Sequence, residues 1–306
     1  MRVRKSHLVL VLLVLATTPM LGEAQLTEGT EIAGVIDAHW HVGPPTFQSI
    51  DRSLDALDAA RIAESHGMRA IVLKQHYFET ASWAYLISRM VPGIQIFGGI
   101  ALNRSVGGLN PVAVENLATF PNGVGRIVYM PTFESEHYNP GSPVAVPISA
   151  GEGELLPEVY EIFDIMARYD LSLSTGHSSP EEILTLISAA KEQGVDRIMV
   201  QHPLIGRIDM SAEMQKEAAQ RGALLEYVLG EATGSDEEFE HWSEMIREVG
   251  PENVIISSDF GQRGRMIPTD GFRVVLPRLL ESGFTEAEID MMTKTNPARW
   301  IGLEPW

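Results

Sequence analysis

Short β-branched runs alternate with longer amphipathic ones along most of the chain. No other feature constrains the fold as strongly, because parallel strands joined by crossover helices bury both kinds of segment together. Eight cycles are present, with strand candidates at residues 35–41, 70–76, 94–102, 125–130, 171–177, 197–202, 223–228 and 254–259. Between them, residues 54–65 place Leu54, Leu57, Ala60, Ile62 and Ala63 on one apolar face, and residues 180–193 open with a proline suited to a first helical turn. Residues 236–249 and 285–294 complete the series, the latter with Thr285 and Glu288 in capping-box spacing. Eight such units in 306 residues predict one α/β domain, a (β/α)8 barrel spanning residues 25–306.

Residues 1–24 follow a different logic. A basic start, Met1-Arg2-Val3-Arg4-Lys5, precedes an apolar stretch at 8–16 and then Gly22-Glu23-Ala24, the pattern of a signal peptide cleaved after Ala24. That apolar stretch is too short to span a bilayer and no second one follows, so an exported protein, periplasmic or secreted, without a stable membrane anchor is expected. The chain has no cysteine, which excludes disulfides, thiolate nucleophiles and thiolate metal ligands. Its formal charge of −18 disfavours nucleic-acid and anionic-lipid partners and suits solubility. A homo-oligomer stays open on this evidence.

Chemistry-bearing residues gather at the predicted strand ends. Asp37-Ala38-His39-Trp40-His41 closes the first strand, and strand alternation puts His39 and His41 on one face about 6 to 7 Å apart, where two imidazoles can share a cation. His177 ends the fifth strand candidate, His202 the sixth and Asp259 the eighth. A carboxylate there can touch a metal and accept a proton from water. Each could singly be a hydrogen-bonded structural group, but together they mark the C-terminal mouth, where barrel enzymes carry their chemistry. Lys74 and His76 end the second strand on one face by the same alternation. Lys74 reads as a cation facing substrate, with a carboxylated metal ligand and a structural ion pair as the other readings.

Three strand-to-helix loops surround that mouth: 103–111, 261–271 and the unusually long 131–157, which reads as a lid. Arg104, Arg263 and Arg265 on these loops, with Lys74 and His76, could bind an anionic substrate such as a carboxylate. Glu226 in the seventh strand, and Glu134, Glu136 and His137 in the long loop, are secondary candidates for ligation or substrate contact. Trp40, Tyr77 and Phe260 could wall an apolar pocket or pack between barrel and helices.

These motifs, with Asn296-Pro297-Ala298 opening the last helix, resemble the amidohydrolase superfamily of metal-dependent hydrolases over the whole domain. The resemblance implies a divalent metal, zinc by preference, in one or two ions. His39, His41 and His177 would hold it, His202 would bind a second ion or orient substrate, and Asp259 would ligate and act as base. It implies hydrolysis of an amide, lactone, ester or cyclic imide of a small molecule. A decarboxylating branch of the superfamily and a non-catalytic exported metal- or ligand-binding barrel are the alternatives. One departure stands out: the fourth strand ends Val128-Tyr129-Met130-Pro131, without the lysine that bridges two metals in many members.

Overall fold

A computed structural model describes residues 32–46, 50–151 and 153–304; the predicted signal segment, 1–24, lies outside the described residues. Eight parallel strands form one sheet in sequence order: β1 Ile36–His41, β2 Ala70–Lys74, β3 Gln95–Ala101, β4 Gly125–Tyr129, β5 Ser172–Ser174, β6 Ile198–Val200, β7 Leu224–Val228 and β8 Val254–Ser257. The sheet curls into a nearly closed barrel. Its two ends meet just beyond β8, where the Asp259 amide donates to His39 O (3.0 Å) and the His41 amide to Phe260 O (2.9 Å).

Apart from Gln95 and Arg126 the strand residues are buried, because they have apolar partners on both sides, which explains their near-continuous hydrophobic runs. Inside the barrel pack Ile36 and Ala38, Ala70 and Val72, Ile127 and Tyr129, Met199 and Ile255. The C-terminal helix Asn296–Trp300 seals the lower end: Ala298, Trp300 and Ile301 join that inner core, and the Trp300 indole donates to Leu173 O (3.1 Å). Asn296 holds this helix in place, its amide donating to Val254 O (2.7 Å) at the start of β8. A larger apolar layer fills the space between strands and helices.

The helices start where local chemistry directs. Ser179, Ser235 and Thr285 form full capping boxes with Glu182, Glu238 and Glu288, satisfying amides that a helix start leaves unpaired. Helix Ala56–Ser65 departs from expectation: it buries Ala56, Ala59, Ala60 and Ala63, while Leu54, Leu57 and Ile62 are only partly buried. Small side chains let this helix lie close against the barrel. The long loop holds a short antiparallel ribbon, Ser149–Gly151 with Glu154–Leu155, before helix Pro157–Tyr169. Among the described residues, no helix is long and apolar enough to cross a membrane.

Candidate functional site

Strict alternation would turn His39 away from the barrel interior, since Ile36 and Ala38 already point there. A bulge resolves the conflict. Asp37 pairs with Ile71 and Trp40 with Leu73, three steps on β1 against two on β2, so His39 joins Ala38 on the inner side. Asp37 Oδ1 holds the bulge by accepting the amides of His39 (3.1 Å) and Ser258 (3.0 Å), and burial pushes its carboxyl up to about 6. Opposite, β8 ends in Ser258 and then Asp259, whose φ of 49° lies in the left-handed region that side chains avoid; His202, with φ 25°, shares the feature. Gly261 is required beside them: at φ +119° a Cβ would stand 1.8 Å from His41 O.

These devices bring three donors together. His39 Nε2 lies 3.2 Å from His41 Nε2 and 3.1 Å from Asp259 Oδ1, and His41 Nε2 lies 2.9 Å from that same oxygen. A tetrahedral ion with bonds of about 2.0–2.1 Å has donors about 3.3 Å apart, so the three atoms fit three corners of a cation's coordination shell. The group is also the metal-competent cluster found among the described residues. From behind, His39 Nδ1–H donates to Glu226 Oε1 (2.9 Å), which directs the Nε2 lone pair forward. Burial and the Lys74 ammonium push His39 down to about 3, so its imidazole is neutral, as a ligand must be.

Five imidazoles ring the floor of a cavity of about 450 Å³. Successive centroids are 4.9 Å apart for His39 and His41, 4.9 Å for His41 and His76, 6.3 Å for His76 and His177, 5.1 Å for His177 and His202, and 6.1 Å for His202 and His39. Burial holds all five below the ordinary histidine range. His177 and His202 line the cavity but stand outside the three-donor group; each keeps a buried Nδ1 without a partner among the described residues. His76 is committed through Nδ1 to Thr132 Oγ1 (2.9 Å).

The structure places Lys74 under this floor, not in the cavity wall. Strand β2 stops at Lys74, so alternation does not carry on to His76, and the two side chains part. Lys74 is fully buried in the barrel, its Nζ donating to Gln201 Oε1 (3.0 Å) and standing 4.0 Å over the Tyr129 ring. Burial brings its ammonium down to about 8, while Glu226 and Asp259 oppose the shift. Gln201 also accepts from Ser174 Oγ (3.0 Å), so its amide nitrogen faces His202 Nε2 (2.9 Å) and leaves the His202 proton on Nδ1. Glu226, read from sequence as a ligand candidate, lies behind His39 and also accepts from Ser257 Oγ (2.5 Å) and the His202 amide (3.2 Å).

The loops divide. Phe133 and Tyr138 of the long loop line the cavity, and Ser135 Oγ ties that loop to His177 O (2.9 Å). Glu134, Glu136 and His137 are spent within the loops, on the amides of Arg104 and Gly141 and on Arg207 O. Arg263 and Arg265 line the cavity, whereas Arg104 stands apart, beside Gly107, Gly108 and Val146. Trp40 and Phe260 pack in the outer apolar layer, and Tyr77 lies beside His76, ring centroids 6.1 Å apart. Two important residues escaped the sequence reading. Asn103, fully buried, joins three loops by donating to His76 O (2.7 Å) and Thr132 Oγ1 (2.7 Å) and accepting the Thr132 amide (3.0 Å). Arg52, on the loop after β1, is a buried cation in the cavity wall.

Residues 34–226 match the model of a protein family described as a family of unknown function, DUF6282. No curated protein matches the chain. Among solved structures it is similar to an amidohydrolase from Pseudomonas aeruginosa, at 14% identity and TM-score 0.63, over 89% of this chain and 96% of that one. An amidohydrolase from Burkholderia multivorans follows at 13% identity and TM-score 0.59, over 89% and 100%. The organophosphorus hydrolase from Deinococcus radiodurans is similar at 16% identity and TM-score 0.55, over 88% and 92%. Likeness at these identities establishes the shared barrel fold.

Proposed function

The chain belongs to the DUF6282 family of unknown function, and from that starting point we propose that it is a metal-dependent hydrolase of small carbonyl substrates: amides, lactones, esters or cyclic imides. One observation carries the reading. His39 Nε2, His41 Nε2 and Asp259 Oδ1 converge within 3.2 Å of one another, at the C-terminal mouth of a barrel shared with solved amidohydrolases. The nitrogen and oxygen donor set suits zinc. When bound, such an ion supplies Lewis acidity and a water made acidic near neutral pH.

The chain's own groups supply the rest. Asp259 engages both imidazoles through Oδ1, and its carboxylate is 23% exposed, so Oδ2 is open to take a proton from water and return it to a leaving group. His202, its Nε2 held by Gln201, and His177 are neutral imidazoles that shape the cavity beside the three donors. Phe133 and Tyr138 roof the cavity and thin the water around the reacting group. Export and a small-molecule substrate belong to the same reading, supported by the 1–24 pattern and by the cavity volume.

The test pairs metal content, by elemental mass spectrometry, with turnover of a lactone, ester, amide and imide panel in 18O-labelled water. Bound metal and labelled product are expected, with Asp259→Asn retaining most of the metal and losing at least about a hundredfold in rate. A protein that takes up no divalent metal sinks the reading. Release of carbon dioxide without label in the product replaces it by decarboxylation.

A further inference from the structure

The cavity that holds the imidazoles also carries a buried cation. Arg52 is only 7% exposed, lines the cavity wall, and has a buried Nε without a hydrogen-bond partner among the described residues. No carboxylate of the described residues forms an ion pair with it; Asp259, in the same cavity wall, favours its charge without contact. Its position is built by main-chain pairing, not left to a loose side chain: Arg52 bridges Gln262, the Ser53 amide donates to Gly261 O (2.8 Å), and the Arg263 amide donates to Asp51 O (2.8 Å). The loops after β1 and β8 are thereby zipped together. They set Arg52 in the wall, with Arg263 and Arg265 above it on the exposed rim.

A chain of formal charge −18 has abundant carboxylates with which to pair a buried guanidinium, yet this one faces a cavity. Burying a charge without a partner is costly, and such groups persist where a ligand completes them. Guanidinium is a planar fork that fits an oxyanion with two parallel hydrogen bonds.

We propose that Arg52 seats an oxyanion carried by the substrate, a carboxylate or a phosphate, anchoring the molecule while its carbonyl end reaches the imidazoles. The identity of the bound molecule as a substrate rests on the hydrolase reading; the anion seat itself does not. Arg263, paired with Asp51 (3.7 Å), and Arg265, over the Phe260 ring, add positive charge at the exposed rim.

The test is isothermal titration of the full chain with succinate and, separately, with inorganic phosphate, on the wild type and on Arg52→Gln, Arg52→Lys and Arg104→Gln. The wild type is expected to bind at least one of the two, and the tighter one identifies the kind of oxyanion. Arg52→Gln should weaken that binding about tenfold or more, Arg52→Lys should recover part of it, and Arg104→Gln should leave it unchanged. Without anion, Arg52→Gln should melt at or above the wild-type temperature, since it removes an unpaired buried charge. A lower melting temperature makes Arg52 a structural residue and overturns the proposal. Equal affinity in wild type and Arg52→Gln overturns it too, as does failure of both anions to bind wild type at tens of millimolar. Metal content of the same samples separates the two readings. Arg52-dependent anion binding in a protein that takes up no metal removes the hydrolase and keeps the seat. Metal uptake without Arg52 dependence removes the seat alone.

Discussion

Glu226 receives three hydrogen bonds, from His39 Nδ1, Ser257 Oγ and the His202 amide, so one buried carboxylate orders parts of β1, β6 and β8 at once. Its contribution to the proposed metal site is orientation: without the acceptor behind it, His39 is free to rotate or to carry its proton on the nitrogen that would ligate. Glu226→Ala is expected to weaken metal affinity about 10–100-fold while the barrel stays folded. Competition with a chromogenic chelator measures this, and an unchanged affinity would remove Glu226 from the site. At this scale the sequence was most informative about place: His39, His41, His177, His202 and Asp259, read at strand ends, all line one cavity, though only His39, His41 and Asp259 converge as donors. Arg52, Asn103 and Gln201 carry no such signal, because their roles arise from loops that meet only in three dimensions. Lys74 misled for a related reason: its spacing from His76 is that of one strand face, but the strand ends between them.

Among the elements, the junction of β1 with the end of β8 carries the most consequence. The bulge in β1 lets Ala38 and His39 share the interior, and Gly261 lets the β8 loop pass against His41 O. Gly261→Ala combines a strained φ of 119° with a backbone clash that no rotamer can relieve. It is expected to cost about 3 kcal/mol or more. A urea midpoint equal to wild type would show that the junction yields more easily than its geometry implies. All eight strands and the capping box of Thr285 with Glu288 were legible from periodicity and spacing, since those depend on neighbours in sequence. Strand ends were overrun at residues 76, 177, 202 and 259, where chemistry-bearing side chains sit on loops just past the ladder. The bulge left no mark, because it is defined by the register of β1 against β2.

For the molecule as a whole, five neutral imidazoles gathered in one buried ring make the metal-free protein sensitive to acid. His39 is held at about 3 when folded against its ordinary 6.5, and the other four are also lowered. Below about pH 6.5 the unfolded chain therefore binds protons that the folded one refuses. The imidazole contribution should be full above that pH and fall as the pH drops, for His39 by about 1.4 kcal/mol per pH unit down to about 3. Asp37, raised from 3.8 to about 6, and Glu231, raised by burial from 4.5 to about 8, act oppositely: each takes up a proton first in the folded state and offsets part of that loss. Denaturant midpoints at pH 7 and pH 5 on metal-stripped protein check the sign, and a higher midpoint at pH 5 would refute it. At the other end of the barrel, Trp300→Ala removes the plug under β5 and should cost about 3–5 kcal/mol, read as a lowered melting temperature. The closure of β1 on β8 also sets an order on synthesis. His39 and His41 leave the ribosome long before their partner Asp259, 218 residues after His41, and the sealing helix Asn296–Trp300 follows later still. A chain that stops short of Asp259 lacks the three-donor group altogether, so these donors can act together only once β8 has been made and has closed on β1.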